Sequence, residues 1–234
     1  HKDAFLDTYS MEKDRGITIF SKQAMFGWKD LDIALLDTPG HVDFSAEMER
    51  TLQVLDYAIL VISGPAGIQS HTETVWRLLK RYNVPVFIFV NKMDIGDCQK
   101  DEIMSGIIER FGSECVDFTC ETGDEFFENI AMCDEDVLEK YMDSGNIDDE
   151  DIRKLIFERK LVPCYFGSAL KLDGVEEILD GLEKYTLKKE YPNEFGAKVY
   201  KVSRDDKNKR LTYLKVTGGE LKAKMYIEQL DEKA

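Results

Sequence analysis

Between Tyr57 and Val90 the chain runs through an apolar segment (Tyr57–Ser63), a stretch whose apolar residues Val75, Leu78, Leu79 and Tyr82 recur at helical spacing, and a second apolar segment (Pro85–Val90). Apolar runs of this length suit strands buried on both faces, and a helix between two of them is the crossover that a parallel pair requires. The same alternation continues on either side. Ile17–Met25 and Leu31–Leu36 read as strands, the second an antiparallel or neighbouring partner of the first, with the polar turn Trp28-Lys29-Asp30 between them. Helices are expected over Ser45–Leu55 (Phe44, Met48, Leu52 and Leu55 on one face) and over 99–111 (Ile103, Ile107, Ile108 and Phe111). A last core strand, Val162–Phe166, precedes a last helix, Val175–Leu187, with Val175, Ile178, Leu179 and Leu182 inward. The expected fold is α/β with a mainly parallel sheet covered on both faces. Ligands in such sheets bind at the carboxyl ends of strands, so the loops after Leu36, Val90 and Phe166 are the places to look.

Charge divides the chain. Residues 1–187 hold 19 Lys+Arg against 38 Asp+Glu, and residues 188–234 hold 12 against 8. The sign changes where the pattern turns to β: Ala197–Ser203 and Leu211–Thr217 read as a hairpin across the polar turn Arg204–Arg210, and Gly218-Gly219 leads toward Leu221–Leu230. Two or three strands cannot close a barrel, so 191–234 reads as the beginning of a larger β domain behind a first domain of residues 1–190. Within the first domain, residues 121–151 carry 13 acidic residues and a single basic one, Lys140. Short amphipathic pieces such as Val137, Leu138, Tyr141 and Met142 suggest a helical insertion, and a solvated acidic face is the simplest reading of the segment.

The acidic body argues against general coating of nucleic acid. No apolar run approaches the ~18 residues of a membrane helix, so no membrane partner is expected. Five cysteines, none in a Cys-x-x-Cys pair, suit a reduced cytoplasmic protein.

Four short motifs carry chemistry. Asp37-Thr38-Pro39-Gly40-His41 follows a strand: a carboxylate there can hold a hydrated Mg2+, and the glycine lets a backbone N–H approach a phosphate. Asn91-Lys92-Met93-Asp94 follows the strand ending at Val90. Asp94 offers two acceptors to the N1–H and N2–H2 edge of guanine, a pattern adenine cannot match; Asn91 can bridge neighbouring loops, and the stem of Lys92 can cover the base. Gly167-Ser168-Ala169-Leu170 follows the strand ending at Phe166, with residues small enough for backbone N–H groups to reach a base carbonyl. Arg15-Gly16-Ile17-Thr18-Ile19 places a threonine hydroxyl, a good Mg2+ ligand, at the entry to the first strand. Each alone has an ordinary reading: a Pro-Gly turn, a polar helix-capping loop, a tight turn, a β-branched strand start. Their order, with three at carboxyl ends of expected strands, gives them weight together.

These residues resemble the G domains of translational GTPases. Asp37-Thr38-Pro39-Gly40-His41-Val42-Asp43-Phe44 is similar to elongation factor G and its relatives. Leu138-Glu139-Lys140-Tyr141-Met142 and the short insertion look closer to the tetracycline-resistance ribosomal protection subgroup, and Lys198–Leu221 resembles the opening of the family's β-barrel second domain. The resemblance implies a P-loop-NTPase-like G domain that binds GTP or GDP with Mg2+ and acts as a monomer on the ribosome, meeting rRNA and ribosomal proteins. It implies that Thr18 and Asp37 hold Mg2+, that Gly40 contacts the γ-phosphate and that Ile17 belongs to an apolar gate. It also implies that Asn91, Lys92 and Asp94 read guanine with support from Ser168, Ala169 and Leu170, and that His41 orients the attacking water.

One departure stands out: no glycine of this chain matches the phosphate loop Gly-x4-Gly-Lys-[Ser/Thr], which family proteins carry upstream of the region beginning here. The chain is therefore expected to be a piece of a longer GTPase and, by itself, to bind GTP poorly and hydrolyse essentially none. A non-catalytic ribosome-binding module or a degenerate GTPase is the alternative. An ATP-using metabolic enzyme is disfavoured by Asn91-Lys92-Met93-Asp94.

Overall fold

The computed structural model describes residues 21–40, 45–205 and 207–225. The described chain divides into two compact units between Leu187 and Lys188. In the first, β1 (Lys22–Trp28) and β2 (Leu31–Asp37) are followed by α1 (Ser45–Leu52), β3 (Ala58–Ser63), α2 (Ser70–Arg81), β4 (Val86–Asn91) and α3 (Lys100–Phe111). Then come β5 (Cys115–Asp117), α4 (Asp124–Ala131), α5 (Glu135–Ser144), α6 (Asp149–Phe157), β6 (Val162–Phe166) and α7 (Val175–Tyr185). Strands β3-β4-β6-β5, in that order, form a four-stranded sheet in which every pairing is parallel. The fold is the α/β architecture that the alternation implies.

Strand β4 shows why its sequence is apolar throughout. Successive side chains of a strand point to opposite faces, so Val86, Ile88 and Val90 enter one core while Phe87 and Phe89 enter another. The first core is completed by Met48 and Leu52 of α1, Trp76 and Leu79 of α2, and Ile107 and Phe111 of α3. The second is completed by α4, α5, α6 and α7, through Phe126, Ile130, Val137, Ile152, Ile156 and Ile178. All five apolar residues of β4 are buried, and each large one removed from water contributes roughly 1.5–3 kcal/mol. Strand β3 differs. Leu60 and Ile62 are buried, but Ile59 and Val61 on its other face are 39% and 56% exposed, because no described element covers them.

Strands β1 and β2 form a separate antiparallel hairpin whose turn holds Lys29 at φ 48°. The Trp28 indole N–H donates to Asp180 (2.8 Å) and Lys29 pairs with the same carboxylate (2.7 Å), which fastens the turn to α7. Among the described residues strand β1 begins at Lys22; residues 17–20 of the expected Ile17–Met25 strand lie outside the described residues. The three-residue strand β5 has too short an apolar pattern to be anticipated.

The acidic segment is more than a solvated face. It folds as α4, α5 and the start of α6, and its apolar residues Phe126, Ile130, Ala131, Val137 and Ile147 lie in the core. The carboxylates occupy the outer faces. Asp134 caps α5, accepting from the N–H groups of Asp136 and Val137 (3.1 and 3.3 Å), and Gly145 closes it in a left-handed conformation. Of the apolar residues that suggested a helical insertion, Val137 is buried and Tyr141 packs against the core, whereas Leu138 (37% exposed) and Met142 (77%) face out. The helix is short, and its buried stripe is one residue wide. Ile108 of α3 likewise points outward.

The second unit contains β7 (Gly196–Arg204) and β8 (Arg210–Gly218), an antiparallel hairpin with register shifts at Gly196/Ala197 and Val199/Lys201. Asp205 closes its turn by accepting from the N–H groups of Lys207 and Lys209 (2.9 and 2.8 Å). No strand forms over 221–225, and the remainder of the Leu221–Leu230 run lies outside the described residues.

Candidate nucleotide-binding site

Strands β4 and β6 are parallel neighbours with Val90 opposite Phe166, so the loops that leave them emerge side by side. The Gly167 N–H donates to the Val90 carbonyl (2.9 Å), and the Met93 N–H donates back to the Gly167 carbonyl (3.0 Å). The Asn91 side chain completes the link. Its Oδ1 accepts from the N–H of Lys92 (2.7 Å) and from the N–H of Ala169 (2.9 Å), 78 residues further along the chain. Asn91 therefore holds its own loop and the Ser168–Ala169 loop in one arrangement. Lys92 lies in the left-handed region at φ 67°, a conformation rare for a residue with a Cβ and found where surroundings over-determine the backbone.

Residues 168–173 form a closed turn. Ser168 and Asp173 exchange both backbone hydrogen bonds (2.9 and 3.1 Å), and Lys171 N–H donates to the Ser168 carbonyl (3.0 Å). The flanking glycines are required by space. A Cβ on Gly167 would lie 2.2 Å from the Asp173 carbonyl oxygen, and one on Gly174, at φ +72°, would lie 2.5 Å from the Phe166 carbonyl oxygen. Ser168 is 1% exposed at the base of the turn, and Leu170 is 81% exposed at its tip.

Asp94 faces this turn. The Ser168 hydroxyl first, and then the Lys171 ammonium, hold its carboxyl below the usual carboxylate range. Lys171 Nζ lies 3.2 Å from Oδ2 of Asp94. An ionised carboxylate has about four acceptor positions, and these two donors leave room for the paired N–H groups of a guanine edge. The loop after β3 supports the site from the other side: Gly64 N–H donates to the Asn91 carbonyl (2.8 Å).

The structure thus brings together Asn91, Lys92, Asp94, Ser168 and Ala169, with Leu170 exposed on the same turn. Asp37 is the last residue of β2, half-buried, in the hairpin and not in the four-stranded sheet. Gly40 lies in the loop beyond it, with open space where a Cβ would be. Ile17, Thr18 and His41 lie outside the described residues. Two contributors escaped the sequence reading, the Gly64 loop and Lys171. A signal for Lys171 existed: a cation five residues past Phe166 and a carboxylate four past Val90 face each other once those strands pair. A separate cavity of about 290 Å3, lined by Glu121, Phe126, Ile152, Lys184 and Tyr185, opens among α4, α6 and α7. Glu121 there already accepts from Lys184 and from the Tyr185 hydroxyl, both at 2.9 Å.

Residues 1–188 match the family model of the elongation factor Tu GTP binding domain. The chain belongs to this family. Tetracycline resistance protein TetP of Clostridium perfringens is 32% identical over 246 aligned residues, covering 95% of this chain and 38% of TetP. Elongation factor G of Ureaplasma urealyticum is 32% identical over 294, covering 96% of this chain and 42% of the relative. Elongation factor G of Thermotoga maritima is 32% identical over 293, covering 94% and 42%. A crystal structure of a Thermus thermophilus protein superposes with a TM-score of 0.81 at 21% identity, over 93% of this chain and 40% of that one, a likeness of fold. The chain spans about two-fifths of the length of the curated relatives it matches. The family match ends at 188, beside the boundary between the two compact units.

Proposed function

We propose that this chain is the guanine-nucleotide-binding part, with the opening of a β-barrel second domain, of a translation factor that hydrolyses GTP on the ribosome. One observation carries the reading. The Asn91–Asp94 and Gly167–Lys171 loops are joined by hydrogen bonds into a single rim at the carboxyl ends of adjacent parallel strands, with an ionised, recessed carboxylate in it. Ligands of open α/β sheets bind at such strand ends. Asp94 supplies acceptors to guanine N1–H and N2–H2, Asn91 fixes the two loops, the Lys92 stem covers the base, and Ser168, Ala169 and Leu170 border it. Family membership supports the choice of GTP.

The residues present also suit Mg2+. Among the described residues no group of three or more His, Cys, Asp or Glu side chains could form an all-protein metal cage. Mg2+ on a nucleotide needs one or two protein oxygens, the rest being water and phosphate. Asp37 and Thr18 would hold it, and the ion would neutralise charge on the β- and γ-phosphates. Gly40, unobstructed on its Cβ side, gives its N–H to the γ-phosphate. Ile17 contributes to an apolar gate, and His41 orients the attacking water once the ribosome places it. Loss of the γ-phosphate releases the Arg15–Ile19 and Asp37–Phe44 segments and lowers ribosome affinity. The TetP alignment spans fewer positions than those to elongation factor G for the same share of this chain, which favours the ribosomal protection branch. Five unpaired cysteines suit a cytoplasmic setting, and no described helix is long and apolar enough to cross a membrane.

The test is nucleotide choice in the full-length protein. Asp94→Asn should move preference from guanine to xanthine nucleotides, and unchanged GTP selectivity would show that Asp94 does not face the base. Ribosome-stimulated turnover should collapse in His41→Ala; undiminished turnover would remove His41 from the mechanism.

A further inference from the structure

We propose that Lys171 is a positioning residue for guanine recognition: its ammonium, together with the Ser168 hydroxyl, holds the Asp94 carboxylate in the orientation whose free acceptor positions face the base. The proposal rests on the reading of this rim as the guanine site. The geometry is specific. The Asp94 side chain is recessed, 19% exposed, and Lys171 reaches it from the solvent side, itself 63% exposed, with Nζ 3.2 Å from Oδ2. Lys171 does not hang from a free loop. Its N–H is bonded to the Ser168 carbonyl, and the turn is closed by the paired Ser168 and Asp173 hydrogen bonds and by the close backbone approach at Gly167 and Gly174. The point from which the lysine stem reaches Asp94 is therefore fixed, which lowers the entropy lost in holding the pair.

Holding is favoured over blocking by the count of acceptor positions. Ser168 and Lys171 take about two of the four lone-pair positions of the carboxylate, and the guanine edge needs two, one on each oxygen. With Lys171 on Oδ2, turning the carboxylate away from the base costs that contact, which favours both bonds to the base forming together. Hypoxanthine, which lacks the 2-amino group, makes one of the two and gains less from the alignment. Because the cation is exposed, its contribution is modest and screened by salt.

The experiment is calorimetric titration of the full-length protein with GDP and with IDP, comparing the unsubstituted protein, Lys171→Met and Lys171→Arg, each at low salt and at ~0.5 M salt. The expected result is GDP binding weakened ~3- to 5-fold in Lys171→Met, the size of an exposed ion pair. The preference for GDP over IDP should shrink, Lys171→Arg should recover most of both, and the difference should fade at high salt. In an Asp94→Asn background, Lys171→Met should leave XDP affinity unchanged, because no charge remains to hold; a lysine that merely stabilises the turn would weaken XDP by the same factor. Equal losses in the two backgrounds, or GDP binding as tight or tighter in Lys171→Met, would overturn the proposal. If the unsubstituted protein fails to prefer GDP, or Asp94→Asn fails to accept XDP, the guanine-site reading itself falls and this inference with it.

Discussion

The turn that carries Ser168 and Lys171 depends on Gly174, and Gly174→Ala tests how tightly fold and site are joined. Two penalties add. Gly174 sits at φ +72°, where an L-residue is strained by about 1–2 kcal/mol. The new Cβ would also lie 2.5 Å from the Phe166 carbonyl oxygen and 3.1 Å from the Gly167 Cα. Both are backbone atoms, so no side chain can swing aside. Relief requires moving the end of β6 or the start of α7, which costs about 1–3 kcal/mol by analogy with overpacked cores. The total of about 2–5 kcal/mol should lower Tm by roughly 5–15 °C for a protein of this size. Thermal unfolding followed by circular dichroism measures it. Gly106→Ala is the matched control: Gly106 lies inside α3 with nothing within 4 Å of an added Cβ. That change should stabilise by about 0.5–1 kcal/mol. If both variants melt within about 1 °C of the parent, the close approach of the turn to β6 is refuted.

Other outcomes follow from the same contacts. Asn91→Ala removes the acceptor shared by the N–H groups of Lys92 and Ala169, and two bonds of about 1 kcal/mol each correspond to GDP affinity reduced roughly tenfold or more in a fluorescence titration; affinity within twofold of the parent would mean the loops hold each other without it. Phe87→Ala empties a fully buried position in the β4 core, where Tyr57 packs edge-on at 6.1 Å, and should destabilise by about 3–5 kcal/mol in urea unfolding. A loss below about 1 kcal/mol would contradict that packing. Thiol labelling at pH 8 should find Cys120, which is exposed, reacting first, while Cys133, pushed up to about 12 by burial, stays protonated and reacts slowly. Cys115 and Cys164 are buried, and burial raises the Cys164 thiol well above its ordinary range, so they should react only on unfolding; prompt labelling of all five would show the core to be open.

The sequence by itself determined the elements in which local pattern and burial agree. The apolar runs of β4 and β6 and the stripes of α2 and α7 appear within two residues of where periodicity placed them, because a strand buried on both faces has no polar position to blur its ends. That the loops carrying Asn91, Asp94, Ser168 and Ala169 follow neighbouring core strands was also legible, since both strands are marked by their apolar runs. Tertiary structure decided the rest. Whether Leu138 and Met142 face in or out depends on which side of α5 meets the core, and charge surrounding the helix hides that choice from its sequence. The acidic segment yields five of the buried residues of one core because neighbouring helices cover its apolar face, a fact absent from its composition. Lys171 acquires a partner only when parallel pairing sets Val90 beside Phe166, since an ion pair between residues 94 and 171 is a property of the strand register and not of either loop.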